Sequence, residues 1–103
     1  MRVRRLAMLL SSLSEHCSDS VELEQYATDG DLAARWLADI SAFDDLTEGC
    51  TVADLGAGNG VLGLGALVLG AGRAILVEAD QAACDVAKSN AESMGFADSV
   101  EVI

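Results

Sequence analysis

Two hydrophobic patterns divide this chain. Up to Ile40 the apolar residues recur every three or four positions; from Cys50 they come in short runs separated by glycines. In the first part Val3, Leu6, Leu10 and Leu13 share one helical face, which predicts a short amphipathic helix. A polar loop over residues 15–20 follows, and then Val21-Glu22-Leu23-Glu24-Gln25-Tyr26. Thr28 and Asp31 have the spacing of a capping box, in which the hydroxyl accepts a backbone N–H and the acid sits near the positive helix end. The helix they open puts Leu32, Ala33, Trp36, Leu37 and Ile40 on one face, so Trp36 is expected in the core.

The second part changes period. Cys50-Thr51-Val52-Ala53-Asp54-Leu55 reads as a buried strand near whose end an acid stands, and residues 56–60 as a glycine-rich turn. Val61 to Leu69, bounded by Gly70 and Gly72, reads as a buried helix, and Ala74-Ile75-Leu76-Val77-Glu78 as a second strand that also ends in an acid. Asp80 is placed to cap another helix, with Ala83, Val86, Ala87, Asn90 and Met94 inward and Gly95 closing it. Val100 to Ile103 starts a third strand. This alternation predicts a parallel βαβαβ unit in the order 3-2-1, half of a doubly wound α/β fold. The expected organisation is one partial domain, with residues 1–48 as an N-terminal helical cap segment and 49–103 as the ligand-binding half.

Asp54-Leu55-Gly56-Ala57-Gly58-Asn59-Gly60 carries the chemistry. Alternate glycines allow a sharp turn and let a ligand approach backbone groups with no Cβ in the way. Glu78, at the end of the adjacent strand, can accept hydrogen bonds from both hydroxyls of a ribose. An adenosine-containing ligand above the strand ends is expected. Gly58, Gly60 and Gly63 also fit G-x-G-x-x-G, the dinucleotide pattern. Asp54 separates the two ligands. A dinucleotide places its pyrophosphate where the loop meets the helix N-terminus. A carboxylate within ~4 Å of it costs on the order of 4 kcal/mol per unit charge at an effective dielectric of about 20. S-adenosyl-L-methionine has no phosphate and brings an ammonium and a sulfonium, so for that ligand Asp54 is favourable. The methyl donor is the expected cofactor, and a dinucleotide-binding oxidoreductase fragment is the alternative.

Composition narrows the partners. The chain has 103 residues with 17 acids against 6 bases, a net charge of -11, and Lys88 is its single lysine. Nonspecific nucleic-acid binding relies on Lys and Arg neutralising phosphates, so any nucleic-acid substrate must be held by shape, by pocket contacts or through segments outside these residues. Acidic, lysine-poor surfaces also suit a salt-loving, halophilic cytoplasm. Cys17, Cys50 and Cys84 have no CxxC or Cys/His ligand spacing, so reduced thiols are expected rather than a disulfide or a zinc site, with Cys84 packed as a small hydrophobe. His16 is expected to be solvated. The apolar run from Leu6 to Leu10 is shorter than the roughly 7–15 residues of an export signal. Val61 to Ala71 is too short to span a bilayer. A cytoplasmic protein with no membrane partner is expected.

Leu23-Glu24-Gln25-Tyr26-Ala27-Thr28, standing ahead of Ala53-Asp54-Leu55-Gly56-Ala57-Gly58-Asn59-Gly60-Val61-Leu62, resembles the small archaeal and eukaryotic RNA methyltransferases that modify N6 of an adenine in small-subunit ribosomal RNA. The glycine loop by itself indicates only the methyltransferase superfamily; the hexad narrows it. The resemblance implies a Rossmann-like class I fold with an N-terminal helical segment. It implies that Gln25 and Thr28 contact the methyl donor, that Gly56, Asn59 and Val61 line its methionine end, with Gly58 and Gly60 in the same cofactor-binding loop, and that Glu78 takes the ribose. Asp54 matches the family's loop-facing acid.

Two departures follow. Ala27 stands where the family usually has proline, which loosens the turn but removes no donor or acceptor. The family's catalytic Asn-Pro-Pro-Phe tetrad follows a fourth strand, and these residues contain no proline. The acid expected after the third strand is absent too. No catalytic residue is therefore named, and the chain is expected to be the cofactor-binding N-terminal half, truncated after the third strand. Its RNA would be held by the missing half, with an activating protein or a separately encoded second half as further partner. A noncatalytic S-adenosylmethionine-binding fragment is the competing reading.

Overall fold

Strand β1 (Thr51–Leu55) and strand β2 (Arg73–Val77) run parallel, with Thr51 opposite Arg73 and Leu55 opposite Val77. Strand β3 (Val100–Val102) adds to the far side of β2, Leu76 facing Val102, and gives the order β1-β2-β3. This is the parallel 3-2-1 arrangement expected from the alternation of runs. The computed structural model describes residues 2–13, 30–42 and 46–103. Gln25, Thr28, His16, Cys17 and the hexad around Tyr26 lie outside the described residues.

Helix α1 spans Val3–Ser11 and α2 Gly30–Ala42; α3 (Val61–Val68) joins β1 to β2, and α4 (Gln81–Ser93) joins β2 to β3 through a short turn at Ala97–Ser99. The ends of these helices follow their sequence. Asp80 caps α4 by accepting the N–H groups of Ala82 at 2.9 Å and Ala83 at 3.4 Å. Both α3 and α4 stop at a glycine of positive φ, Gly70 and Gly95. The residue after each glycine donates back to the last turn, Ala71 to Ala66 O at 3.0 Å and Phe96 to Ala91 O at 2.8 Å.

One core ties the N-terminal helices to the sheet through Leu6, Leu10, Leu37, Leu64 and Leu76. Close approach decides how it assembles. A Cβ at Gly63 would run into Leu76 of β2, and one at Gly65 would run into Leu37 of α2 and Leu10 of α1. Glycine on α3 therefore seats it against the sheet on one side and against α1 and α2 on the other. Along α4, Ala83, Cys84, Ala87, Asn90 and Ala91 are buried, while Met94 packs partly buried against the core. The thiol of Cys84 lies 3.3 Å from Glu78 O.

Two expectations are corrected. In α2 the buried side chains are Ala33, Ala34 and Leu37, whereas Trp36 is 47 % exposed and Leu32 and Ile40 are exposed as well. The small residues let α2 approach its neighbours closely, and the bulky flank turns to a groove beside β1 instead. Strand β1 is not fully buried: Val52 and Asp54 are half-covered, and Leu55 is 78 % exposed. Its alternation reflects a sheet with all four helices on the Leu76 face. Parallel sheets are ordinarily covered on both faces, but among the described residues nothing covers the other face or pairs with the outer edge of β1. No helix among the described residues is long and apolar enough to cross a membrane.

Candidate functional site

The glycine loop crosses the ends of β1 and β2. The N–H groups of Gly56 and Ala57 both donate to Val77 O, at 2.8 and 3.0 Å, which pins the loop over the neighbouring strand. Gly56, Gly58 and Gly60 have φ of 73°, 57° and 86°, a region where only glycine sits without strain. A Cβ at Gly56 or Gly58 would meet nothing within 4 Å. At these two positions glycine serves the backbone shape, and the space before the loop is open. Gly60 is different, because a Cβ there would press on Leu76 and Leu64.

Glu78 closes the loop from the side. Its Oε1 accepts the Gly58 N–H at 2.8 Å and its Oε2 accepts the Asp80 N–H at 2.9 Å. Each carboxylate oxygen keeps a second acceptor site, so the group can hold the loop and still receive hydroxyls. The sequence marked Glu78 for a ribose; its hold on Gly58 is a second duty that spacing alone did not reveal.

Asp54 lies behind the loop, where its Oδ2 accepts the Gly63 N–H of α3 at 3.2 Å. It borders an apolar cavity of about 390 Å³ lined by Trp36, Ile40, Val52, Ala53, Leu62 and Gly63. Burial pushes its carboxyl above the ordinary value of 3.8; the Gly63 N–H opposes this, and the charge of Glu78 adds to the rise. The sign for stability follows from linkage. The folded chain holds the Asp54 proton more tightly than the unfolded chain, so this group costs stability as pH rises from the ordinary carboxylate range through the raised value. Asp54→Asn is expected to remove that dependence and raise the melting temperature of the ligand-free chain at neutral pH. The check is a comparison of thermal midpoints across the acid range, and superimposable profiles for the two proteins would sink it.

Asn59 is 4 % exposed. Its Oδ1 accepts the Val61 N–H at 3.2 Å, and its carbonyl accepts Nδ2 of Asn90 at 2.9 Å. Val61 is buried beside it. What Asn59 and Val61 present to the cleft is therefore backbone, and the open side of the loop belongs to Gly56 and Gly58. The structure thus gathers Asp54, Gly56, Gly58, Asn59, Gly60, Val61 and Glu78 around the ends of β1 and β2. It gives no place to Gln25 and Thr28, which lie outside the described residues. Asn90, whose amide holds the Asn59 carbonyl, is the loop contact that sequence reasoning missed. Its signal was a buried amide on a helix face otherwise made of small residues. Among the described residues no group of side chains could hold a metal ion.

A parallel sheet with a glycine loop over two strand ends, and an acid at the end of each strand, defines the donor-binding half of a Rossmann-like class I methyltransferase. The model of one family, ribosomal protein L11 methyltransferase (PrmA), matches residues 30–103, and the chain belongs to that methyltransferase family. It is similar to a Pyrococcus horikoshii protein described as a candidate RNA methyltransferase. That structure superposes with a TM-score of 0.90 at 43 % identity, over 99 % of this chain and 50 % of that one. The rRNA N6-adenosine methyltransferase METTL5 of Danio rerio is 37 % identical over 93 residues, 89 % of this chain and 40-odd per cent of its own length (44 %). An RNA methyltransferase of Salinibacter ruber, solved with S-adenosyl-L-homocysteine, superposes with a TM-score of 0.60 at 28 % identity over 67 % of this chain and 45 % of that one. The chain thus spans half or less of the length of these relatives. The resemblance and the fold read from the sequence are borne out, and S-adenosylmethionine is the cofactor of this class. The family displaces the dinucleotide alternative.

Proposed function

We propose that these residues form the donor-binding half of an S-adenosylmethionine-dependent methyltransferase that acts on N6 of an adenine in small-subunit ribosomal RNA. The observation that carries the donor assignment is the placing of two carboxylates around the glycine cradle. Glu78 holds Gly58 from one side, and Asp54 sits behind the loop with its carboxyl raised chiefly by burial. When bound, S-adenosylmethionine supplies an electrophilic methyl group on a sulfonium. The open side of Gly56 and Gly58 admits it, Glu78 offers free acceptor sites to its ribose, and Asp54 supplies negative charge near its cationic end. Gln25 and Thr28 complete the contacts from the N-terminal segment.

The RNA assignment draws on relatives whose likeness extends into the N-terminal helices, 99 % and 89 % of the chain, the second of them an rRNA methyltransferase, whereas the family match begins at residue 30. A net charge of -11 leaves the grip on RNA to a second half of the enzyme, joined to this one or separate, or to an activating protein. The same charge suits a salt-rich cytoplasm. The family's description favours a second reading, transfer to a ribosomal protein. A third, donor binding without catalysis, describes this half standing alone.

Calorimetry in high salt tests the donor assignment. S-adenosylhomocysteine is expected to bind and NAD to show no comparable heat. Tighter binding of NAD would overturn the methyltransferase reading of the loop.

A further inference from the structure

The glycine loop is held mostly by its own neighbourhood. Val77 O takes two of its N–H groups, Glu78 takes a third, and Gly60 N–H bonds back to Ala57 O at 2.9 Å. The tether from Asn90 is of another kind. It reaches the loop from the far part of α4, thirty-one residues away in the chain.

Asn90 is 3 % exposed and shares its face of α4 with Ala83, Ala87 and Ala91. A buried amide on such a face is costly unless its groups are bonded. Alanine would continue the surface at no such cost. The bond it makes, Nδ2 to the carbonyl of Asn59 at 2.9 Å, falls between the two glycines of the turn. Asn59 lies between Gly58 and Gly60, both at positive φ. Glycine tolerates either sign of φ, so the orientation of the Asn59–Gly60 peptide rests on its partners, Ala57 O on its N–H and Asn90 on its carbonyl. The Asn59 side chain, bonded to Val61 N–H, fixes the start of α3 but leaves its own carbonyl to be held from elsewhere.

We propose that Asn90 is a positioning residue, whose amide selects the binding shape of the glycine loop by holding the Asn59 carbonyl against α4. This rests on the methyl-donor reading of the loop. Asn90 touches no ligand itself; it keeps Gly58 in register with Glu78 and keeps the open side of Gly56 and Gly58 facing the cleft.

The test compares three variants of the 103-residue chain with the parent. Asn90→Ala removes the donor. Asn90→Asp keeps the shape but turns an acceptor toward the Asn59 carbonyl. Ala91→Gly loosens the same helix without removing any side-chain donor. Both Asn90 variants are expected to weaken S-adenosylhomocysteine roughly tenfold, the effect of one buried hydrogen bond lost. They are also expected to speed amide exchange at Gly60 and Val61 relative to the rest of the chain. Ala91→Gly is expected to lower the melting temperature with ligand affinity and relative exchange at those amides unchanged. Equal effects of Asn90→Ala and Ala91→Gly on affinity, or unchanged loop exchange in both Asn90 variants, would overturn the positioning role. If the parent chain binds no S-adenosylhomocysteine, the donor reading fails, and the exchange measurement still decides whether Asn90 holds the loop.

Discussion

Incubated with small-subunit ribosomal RNA and a radiolabelled methyl donor, the 103-residue chain is expected to transfer no label above background. Methyl transfer to an amine needs the acceptor nitrogen in line with the sulfonium at near-attack distance. Such positioning supplies roughly 7–11 kcal/mol of a barrier of this kind. The glycine loop, Asp54 and Glu78 are suited to hold a donor, and no described residue is assigned to the acceptor. The family resemblance assigns the acceptor to an Asn-Pro-Pro-Phe tetrad, and these residues contain no proline. Adding the complementary half, fused or as a separate polypeptide, is expected to restore transfer, and Asp54→Ala should then remove most of it. Label found on ribosomal protein but not on RNA would favour the protein-substrate reading. Robust transfer by the 103 residues alone would show that the acceptor-holding groups lie within them.

Replacement of Glu78 by alanine should give the second-largest effect. Glu78 stands to contribute twice, through the two backbone N–H groups it already accepts and through its free acceptor sites toward a ribose. Hydrogen bonds to a charged group are worth about 1.5–3 kcal/mol, so S-adenosylhomocysteine should bind roughly ten- to a hundredfold more weakly. Glu78→Gln separates the two duties. It keeps one acceptor oxygen but turns an amide toward Gly58 or Asp80, where an N–H already points, so it should fall near the alanine variant. Calorimetric titration of the three proteins decides the matter, and an alanine variant that binds like the parent would remove Glu78 from the site.

Much of this could be read from order along the chain. Strand and helix runs, the Asp80 cap and the Gly70 and Gly95 stops are local decisions, set by side-chain period, by backbone donors needing partners and by glycine's freedom at positive φ. The strand order followed from the same alternation, because short parallel connections leave few topologies. The glycine loop and its two acids were legible for a related reason: they sit next to one another in sequence or at the ends of adjacent strands.

The tertiary structure decided what depends on contacts between distant residues. Periodicity gave α2 an apolar stripe too broad to name the buried edge. Gly30, Ala33, Ala34 and Leu37 won because close packing rewards small residues where helices meet, and Trp36 was left to the groove. An apolar run at Cys50 to Leu55 looked buried on both faces, yet burial of a strand depends on what lies over it, and the helices described here all lie on one side. Asn90 and Asn59 are thirty-one residues apart, so their bond exists only once α4 is folded back across the loop. The sequence by itself determined the elements, the loop and its charges. Which faces close, and what holds the loop in shape, arose only when the chain packed against itself.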